Sequence, residues 1–156
     1  MKPGVFTQLY VQIVFAVEDK QCLLRNKEYN DQIFKYISGT ITNLKNKSII
    51  VNGVEDHIHI FLGLHHTISI SELVGNIKKS SSSFINDNKW FLGKFSWQDG
   101  YGAFTYSRSH VEKVYRYIQN QEEHHKKTTF EKEYITFLEK FGIEYNEKYL
   151  FTFFEK

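Results

Sequence analysis

The sequence predicts an α+β domain built on a largely antiparallel sheet, and three observations support this class. Runs rich in β-branched and aromatic residues alternate with segments of helical apolar spacing, in the order β-α-β-β-α-β-α-α. Two strand-like runs, 48–54 and 57–64, are separated only by Glu55 and Asp56, which is the spacing of a hairpin. The first six elements follow the order of a ferredoxin-like sandwich, to which the later helices are added.

The first half of the chain supplies the opening strand and two helices around this hairpin. Residues 6–17 predict a strand that is too apolar to be solvated on both faces. Residues 28–45 predict a helix, because apolar side chains recur there at helical spacing. Ser69 and Glu72 form a capping-box pattern that starts a second helix through about Asn86. The predicted core-facing residues of the two helices are Ile33, Tyr36, Ile37, Ile41, Leu44, Ile70, Leu73, Val74, Ile77 and Phe84.

The second half begins with a glycine-containing loop at 93–102, followed by a short strand at 101–107. A second capping-box pattern, Ser109-His-Val-Glu112, predicts a helix that continues to about Lys126. A third pattern at 128–131 predicts a last helix, which Gly142 should end. The segment 143–156 is aromatic enough to pack, but its pattern assigns it no role.

Composition limits the class of protein before any motif is considered. A chain of 156 residues that is 41% hydrophobic suits a single domain over residues 1–156. The single cysteine, Cys22, excludes a disulfide framework or a thiolate metal site within one chain, and we expect a reducing, cytoplasmic location. The sequence has neither a signal-peptide layout nor an apolar run of about 18 residues, which predicts no membrane span. The net charge of +2 does not by itself indicate a nucleic-acid-binding protein.

The stretch DHIHIFLGL at 56–64 places His57 and His59 two residues apart in a strand. Side chains at i and i+2 share one face, with Cα atoms about 6.6–6.8 Å apart, so both imidazoles can converge on one cation. The alternating residues Ile58, Ile60 and Leu62 would then face the core. The alternative is a half-buried strand whose wet face carries two histidines, and the pair alone leaves both interpretations open. The remaining histidines are interpreted as structural or solvated: His65, His66, His110, His124 and His125.

Tyr117 and Gln121 are four residues apart on the predicted helix at 109–126, so they share one face. A glutamine carbonyl oxygen can complete a site with two histidines, and a tyrosine beside it would direct its hydroxyl at anything bound there. Only about one tyrosine in a thousand is ionised at pH 7, so the phenol needs an activated electrophile, such as a phosphodiester bound to a divalent cation. The alternative is a packed tyrosine and a solvated glutamine.

These motifs resemble the single-tyrosine HUH transposases, the TnpA-type enzymes of small hairpin-ended bacterial insertion sequences. Asp56-His57-Ile58-His59 is similar to the histidine-hydrophobic-histidine motif, and Tyr117-Ile118-Gln119-Asn120-Gln121 is similar to the family's Tyr-Ile-x-x-Gln. Residues 69–87 resemble the family's serine-rich helix, and the likeness extends over about residues 5–135. One departure lies in the first strand, where many relatives have a histidine and this chain has Tyr10-Val11-Gln12.

The resemblance implies a transposase that cleaves and rejoins single-stranded DNA at hairpin ends through a 5′-phosphotyrosine intermediate. It implies that Tyr117 is the nucleophile on an added catalytic helix and that His57, His59 and Gln121 hold Mg²⁺ or Mn²⁺. It also implies a homodimer in which the tyrosine helix of one subunit completes the histidine site of the other. The alternatives are a domesticated relative that processes palindromes, a non-catalytic nucleic-acid-binding domain, and a metal hydrolase that uses a water nucleophile.

Candidate DNA contacts form two groups. Lys78, Lys79 and Ser80 would offer charge and hydroxyl donors on the second helix. Arg108, Lys113 and Arg116 flank the tyrosine on its helix. For each of these residues the alternative is an ordinary solvated surface. Four aromatic residues are candidates either for base stacking or for core packing: Phe95, Trp97, Tyr101 and Phe104.

Overall fold

The computed structural model describes residues 3–18, 26–90 and 93–153. Cys22 lies outside the described residues. The strands are β1 (Tyr10–Ala16), β2 (Lys47–Val54), β3 (His57–Gly63) and β4 (Gly102–Tyr106). They form one sheet in the order β2-β3-β1-β4, and every neighbouring pair is antiparallel. The predicted α+β class with a ferredoxin-like sheet is confirmed.

Five helices accompany the sheet in the described part of the chain. They are α1 (Lys27–Asn43), α2 (Ile70–Asp87), α3 (Val111–Gln119), α4 (Gln121–His124) and α5 (Phe130–Lys140). Short 3₁₀ turns lie at Arg108–His110 and Glu147–Tyr149. In the described ranges, none of these helices combines the length and the apolarity that crossing a membrane requires.

The antiparallel register sorts the sheet residues into two faces. His57 lies opposite Ala16 and His59 lies opposite Val14, so these four residues share one face. The alternating residues Ile58, Ile60 and Leu62 are fully buried on the other face, as the sequence predicted. Helices α1 and α2 contact each other, and α2 covers this second face, because its Lys78 ammonium lies 5.2 Å from the centre of the Phe15 ring.

The two long helices match their predictions closely. Ser69 caps α2 by accepting a hydrogen bond from the Glu72 backbone N–H at 3.0 Å. Six of the predicted core residues are buried: Ile33, Ile37, Ile41, Leu73, Val74 and Ile77. The prediction for Tyr36 and Phe84 is wrong, because their rings stack on each other at 4.3 Å on the partly exposed side of the helix pair. Ile85 takes the buried position instead of Phe84.

The predicted continuous helix at 109–126 is wrong, because Asn120 separates α3 from α4. The side-chain amide of Asn52 explains the break, since it donates to the carbonyl oxygens of Ile118 at 2.8 Å and Gln119 at 3.3 Å. Ser109 lies inside the preceding 3₁₀ turn and does not cap α3.

The last helix begins one residue later than the capping pattern at 128–131 predicted. Thr129, and not Thr128, caps α5 by accepting a hydrogen bond from the Lys132 backbone N–H. Gly142 follows the end of the helix with a φ of +66°, as the sequence predicted, because glycine adopts this left-handed conformation without a Cβ clash.

Helix α5 covers the histidine face of the sheet. The Phe130 ring stacks on the His57 imidazole with centroids 3.7 Å apart, and Phe137 stacks on Phe104 at 5.3 Å. His57 and His59 are therefore fully buried, and the alternative of a wet strand face is excluded. Phe95, Trp97 and Phe104 are buried as well, so core packing accounts for these three aromatic residues.

Replacing Gly102 with alanine is expected to lower the free energy of unfolding by about 1–3 kcal/mol, because the new methyl group would overpack the seam between β4 and α5. A Cβ at this position would lie 2.9 Å from the Tyr134 ring and 3.1 Å from Phe104. Urea unfolding measures the effect. Gly75→Ala is the matched control, since a Cβ there meets open space on a helix and should raise stability by about 0.5–1 kcal/mol. Equal effects of the two substitutions would contradict the docking of α5.

Candidate active site

Strand β3 fixes both imidazoles beneath α5, with ring centroids 5.2 Å apart. The strand is held by β1 on one side and β2 on the other, so the backbone at the histidines is hydrogen-bonded along both edges. His57 Nδ1 lies 2.7 Å from the Asp56 carboxylate, which leaves Nε2 as the ring nitrogen available to a further partner. His59 Nδ1 lies 2.9 Å from Gln12 Nε2. Because each imidazole has a defined second contact, the ring orientations are set by the fold.

The centre of the site is the carboxylate of Glu133, a residue of α5 that is only 5% exposed. Its Oε1 lies 3.2 Å from His57 Nε2, 3.1 Å from His59 Nε2 and 3.2 Å from His125 Nε2. Three imidazole nitrogens therefore converge on one oxygen atom, two from β3 and one from the residue that follows α4.

The second oxygen of Glu133 connects these histidines to the tyrosine helix. Its Oε2 accepts hydrogen bonds from the Tyr117 hydroxyl and, at 3.1 Å, from Gln121 Nε2. His124 Nε2 lies 3.1 Å from the Tyr117 hydroxyl oxygen. The Tyr117 ring approaches the His59 ring at 6.0 Å between centroids. The structure thus brings Tyr117, Gln121, His57 and His59 together within a single chain.

Packing of α3 explains why Tyr117 points into this site. Val114 and Ile118, on the same helix, form a small buried cluster with Phe61 of β3, and Tyr117 packs at its border. Tyr115 lies outside this contact and is 37% exposed. The break at Asn120 separates Tyr117 from Gln121, yet both side chains still reach Glu133.

Burial and neighbouring charges both shift the pKa values of these groups, and for Glu133 and His57 the two causes oppose each other. Burial would raise the pKa of Glu133, but the surrounding imidazoles outweigh it and hold that pKa well below its usual range. Burial lowers the pKa of the His59 imidazole, although the Glu133 carboxylate opposes this shift. Burial disfavours the His57 cation as well, but the carboxylates of Asp56 and Glu133 outweigh this and raise its pKa. Burial, reinforced by Glu133, raises the pKa of the Tyr117 phenol, which is therefore held as a neutral hydroxyl.

Two buried atoms indicate that these residues fit a divalent cation. Among the described residues, Gln121 Oε1 has no hydrogen-bond partner, and His57 Nε2 faces Glu133 Oε1 at 3.2 Å without hydrogen-bond geometry. Such unpaired buried acceptors are costly, and a cation between them would satisfy both. Ligand atoms of His57, His125 and Glu133 also lie within 4.8 Å of one another. Imidazole nitrogen and carboxylate oxygen are both donors that divalent metal ions accept in proteins.

The candidate DNA contacts are dispersed. Lys78 donates to the backbone carbonyls of Gln98 at 2.7 Å and Gly100 at 2.6 Å on the opposite side of the sheet. Lys79 and Ser80 lie on the same helix α2 and are not brought to the tyrosine. Arg116 pairs with Glu112 on the exposed side of α3, and Arg108 lies in the preceding 3₁₀ turn.

A cavity of about 390 Å³ opens beside Tyr117 and Glu133. Its lining includes the ammonium-bearing residues Lys113 and Lys140 and the hydroxyl-bearing residues Thr128 and Thr136. Of the predicted DNA contacts, Lys113 is the one that lines this cavity. Two ammonium groups and two hydroxyl groups therefore line the same cavity as the Tyr117 phenol.

The sequence interpretation missed Glu133 and gave His124 and His125 only structural or solvated roles. A signal for Glu133 was present, because it lies in the otherwise apolar stripe of α5, and a carboxylate in such a stripe is rarely buried without partners. The apolar members of that stripe are Phe130, Tyr134, Phe137 and Leu138. No comparable local pattern marks His125, since its partner lies across a turn.

Comparison with known proteins gives a family match and two structures of similar fold. The family model described as IS200-like transposase matches residues 5–121, from the start of the sheet to Gln121. The crystal structure of a candidate transposase from Deinococcus radiodurans R1 is similar, with 19% sequence identity and a TM-score of 0.60. The match covers 78% of this chain and 96% of the Deinococcus chain. The structure of a REP-associated tyrosine transposase bound to a REP hairpin is similar as well, with 14% sequence identity and a TM-score of 0.58. The match covers 80% of this chain and 74% of that transposase. None of the curated proteins matches the chain at a significant level. Since the family match spans every strand, the histidine pair, Tyr117 and Gln121, the chain belongs to the IS200-like transposase family.

Proposed function

We propose that this transposase cleaves and rejoins single-stranded DNA through a 5′-phosphotyrosine on Tyr117, beside a divalent cation held by His57, His59 and Gln121. The observation that carries the proposal is the Glu133 carboxylate, on which the phenol, the amide and both imidazoles converge. The family match supports an enzyme that acts on DNA.

Mg²⁺ or Mn²⁺ bound at these residues would withdraw charge from a phosphodiester oxygen and so make the phosphorus a better electrophile. His57, His59 and Gln121 would hold the ion, with Glu133 and His125 as further ligands from outside the family match. The raised pKa of Tyr117 fits this requirement, because a neutral phenol attacks only an activated phosphate.

The cleavage step balances with the groups present. The Tyr117 oxygen would form a bond to phosphorus, and the hydroxyl, which donates its hydrogen bond to Glu133 Oε2, would give up its proton. The bond from phosphorus to the 3′-oxygen would break, and that oxygen would take up the proton that the phenol lost and leave as a free hydroxyl. Attack by such a 3′-hydroxyl on a phosphotyrosine reverses the same step and rejoins the strands.

The substrate that we propose is single-stranded DNA adjoining a hairpin. One of the similar structures holds a REP hairpin, and the cavity beside Tyr117 offers Lys113, Lys140 and two threonines to a strand's phosphates. The same likeness supports the alternative of palindrome processing in a host genome, which uses the same chemistry.

We further propose that the site is complete within one chain. Tyr117 lies beside its own His59, with the rings 6.0 Å apart, so exchange of the tyrosine helix between subunits is not required for contact. The homodimer stays a prediction.

Addition of EDTA is expected to abolish covalent attachment of the protein to DNA, and added Mn²⁺ should restore it. The test uses a labelled hairpin oligonucleotide with single-stranded flanks, Mg²⁺ or Mn²⁺, and a denaturing gel that resolves the protein–DNA adduct. Metal-dependent cutting without an adduct would support a water nucleophile instead. Binding without cutting in any metal would support a non-catalytic DNA-binding domain.

A further inference from the structure

The two ends of the sheet differ in charge. Acidic residues lie at the end where β3 begins: Glu18, Glu55, Asp56 and Asp99. At the other end, Tyr10 at the start of β1 lies opposite Gly63 at the end of β3 and Tyr106 at the end of β4. Lys47, the first residue of β2, also lies opposite Gly63. The chain segments that meet at this second end contain no aspartate or glutamate: 3–17, 39–54, 57–71 and 100–111.

Basic and imidazole side chains surround this acid-free end, in and beside the loops that join strands to helices. We call this surface the strand-end rim, and its members are Lys45, Lys47, His65, Arg108 and His110. His65 is half-buried and the other members are exposed. Among the described residues, Lys45, Lys47 and Arg108 form no ion pair, so their charges are available to an anionic partner.

A buried asparagine holds the β2 side of the rim together. Asn46 is only 6% exposed, and its Oδ1 accepts a hydrogen bond from the His65 backbone N–H at 2.7 Å. Its Nδ2 donates to the carbonyl oxygens of Ile41 at 3.3 Å and Leu44 at 3.2 Å. The loop before β2 is therefore tied to the loop after β3, and the rim keeps its shape although separate segments form it.

The rim continues into the cavity beside Tyr117. His110 of the rim lines that cavity together with Tyr106 and Tyr117. The Tyr117 ring lies against His59, four positions before Gly63 on β3, which corresponds to about 14 Å along a strand. Stacked nucleotides rise about 3.4 Å each, so a short single-stranded segment would span the distance from the rim to the phenol.

The width of the rim suits a duplex better than a single strand. Strands β2 and β4 are the outer strands of the sheet, so Lys47 and the turn with Arg108 are separated by three strand spacings, about 14 Å. A major groove is about 12 Å wide, so cations on the two sides of the rim can reach the two backbones that border one groove.

We propose that the strand-end rim binds the phosphate backbones of the hairpin stem, and that the single-stranded flank passes along His110 to Tyr117. The inference rests on the proposed function, because it assigns a surface to the paired part of that substrate. A duplex carries one charge per about 1.7 Å of its axis, twice the density of one strand, so it is the part of the substrate that an acid-free surface favours most.

The test measures binding of a hairpin oligonucleotide with single-stranded flanks to the full chain, by fluorescence anisotropy in EDTA at several salt concentrations. Lys47→Gln/Arg108→Gln removes one charge from each side of the rim and should weaken binding by up to about 8-fold per charge at 0.1 M salt. The slope of log affinity against log salt should become shallower by about 0.9 per charge. Lys35→Gln/Lys89→Gln, at two exposed lysines outside the rim, is the matched control and should keep the native slope.

A second oligonucleotide that carries the flank without the stem distinguishes the two parts of the substrate, and the rim variant should bind it with native affinity. Equal weakening for both oligonucleotides, native-like hairpin binding by the rim variant, or an equal loss in the control variant would overturn the proposal. Each of these results can occur while the native chain still forms its covalent adduct. Hairpin binding that depends on the rim, with no adduct in Mn²⁺, would instead overturn the proposed function and leave the rim intact.

Discussion

Replacing Tyr117 with phenylalanine is expected to abolish covalent attachment to DNA, a loss of at least about 10⁴-fold, because the nucleophilic oxygen is removed. The ring contacts with His59, His124 and Phe137 are retained, so DNA binding should be unchanged. The denaturing gel measures the adduct, and a mobility shift on native gels measures binding.

Tyr115→Phe supplies the control for this experiment. Tyr115 lies on the same helix, is 37% exposed and has no contact with Glu133 among those the structure describes, so its loss should leave adduct formation at the native level. Cutting by the Tyr117→Phe variant at the native rate would show that water, and not the phenol, attacks the phosphate.

His57→Ala should lower both Mn²⁺ affinity and DNA cleavage, the former by more than about 100-fold, since losing a ligand costs more than losing its partner. The substitution also leaves the carboxylates of Asp56 and Glu133 facing each other without the imidazole between them. His66→Ala, in the exposed loop after β3, is the control and should behave like the native chain. If His57→Ala cleaved DNA at the native level at low metal concentration, the assignment of His57 as a metal ligand would be wrong.

A mixture of the Tyr117→Phe and His57→Ala variants distinguishes a site within one chain from a site shared between subunits. Because Tyr117 lies beside its own His59, we expect the mixture to form no more adduct than the two variants measured separately. Restored adduct formation would show that a native tyrosine from one chain meets native histidines of another.

Local patterns predicted the sheet and the long helices because their signals lie within single elements. The alternation of His57, Ile58, His59 and Ile60 decided which side chains face α2, and the side chain of Ser69 decided where α2 begins. The break at Asn120 could not be predicted this way, because Asn52 causes it from a strand 66 residues away from Ile118.

Spacing placed His57 and His59 on one face of a strand and Tyr117 and Gln121 on one face of a helix, and the resemblance assigned their roles, which stay a prediction. Spacing could not indicate Glu133, which reaches these residues only because α5 packs across the sheet. A lysine beside serines suggested that Lys78 contacts DNA, and this stays a prediction. In the structure the Lys78 ammonium donates to two backbone carbonyls of the loop before β4, which no local pattern indicated.

The central claim is that the Tyr117 oxygen becomes covalently bound to a 5′-phosphate of DNA beside the histidine pair. Peptide mass spectrometry after reaction with a hairpin oligonucleotide in Mn²⁺, followed by nuclease and protease digestion, tests it most directly. We predict a nucleotide 5′-phosphate attached to Tyr117 and to no other tyrosine. An unmodified Tyr117 peptide recovered alongside cleaved DNA that carries free 5′-phosphates would contradict the account.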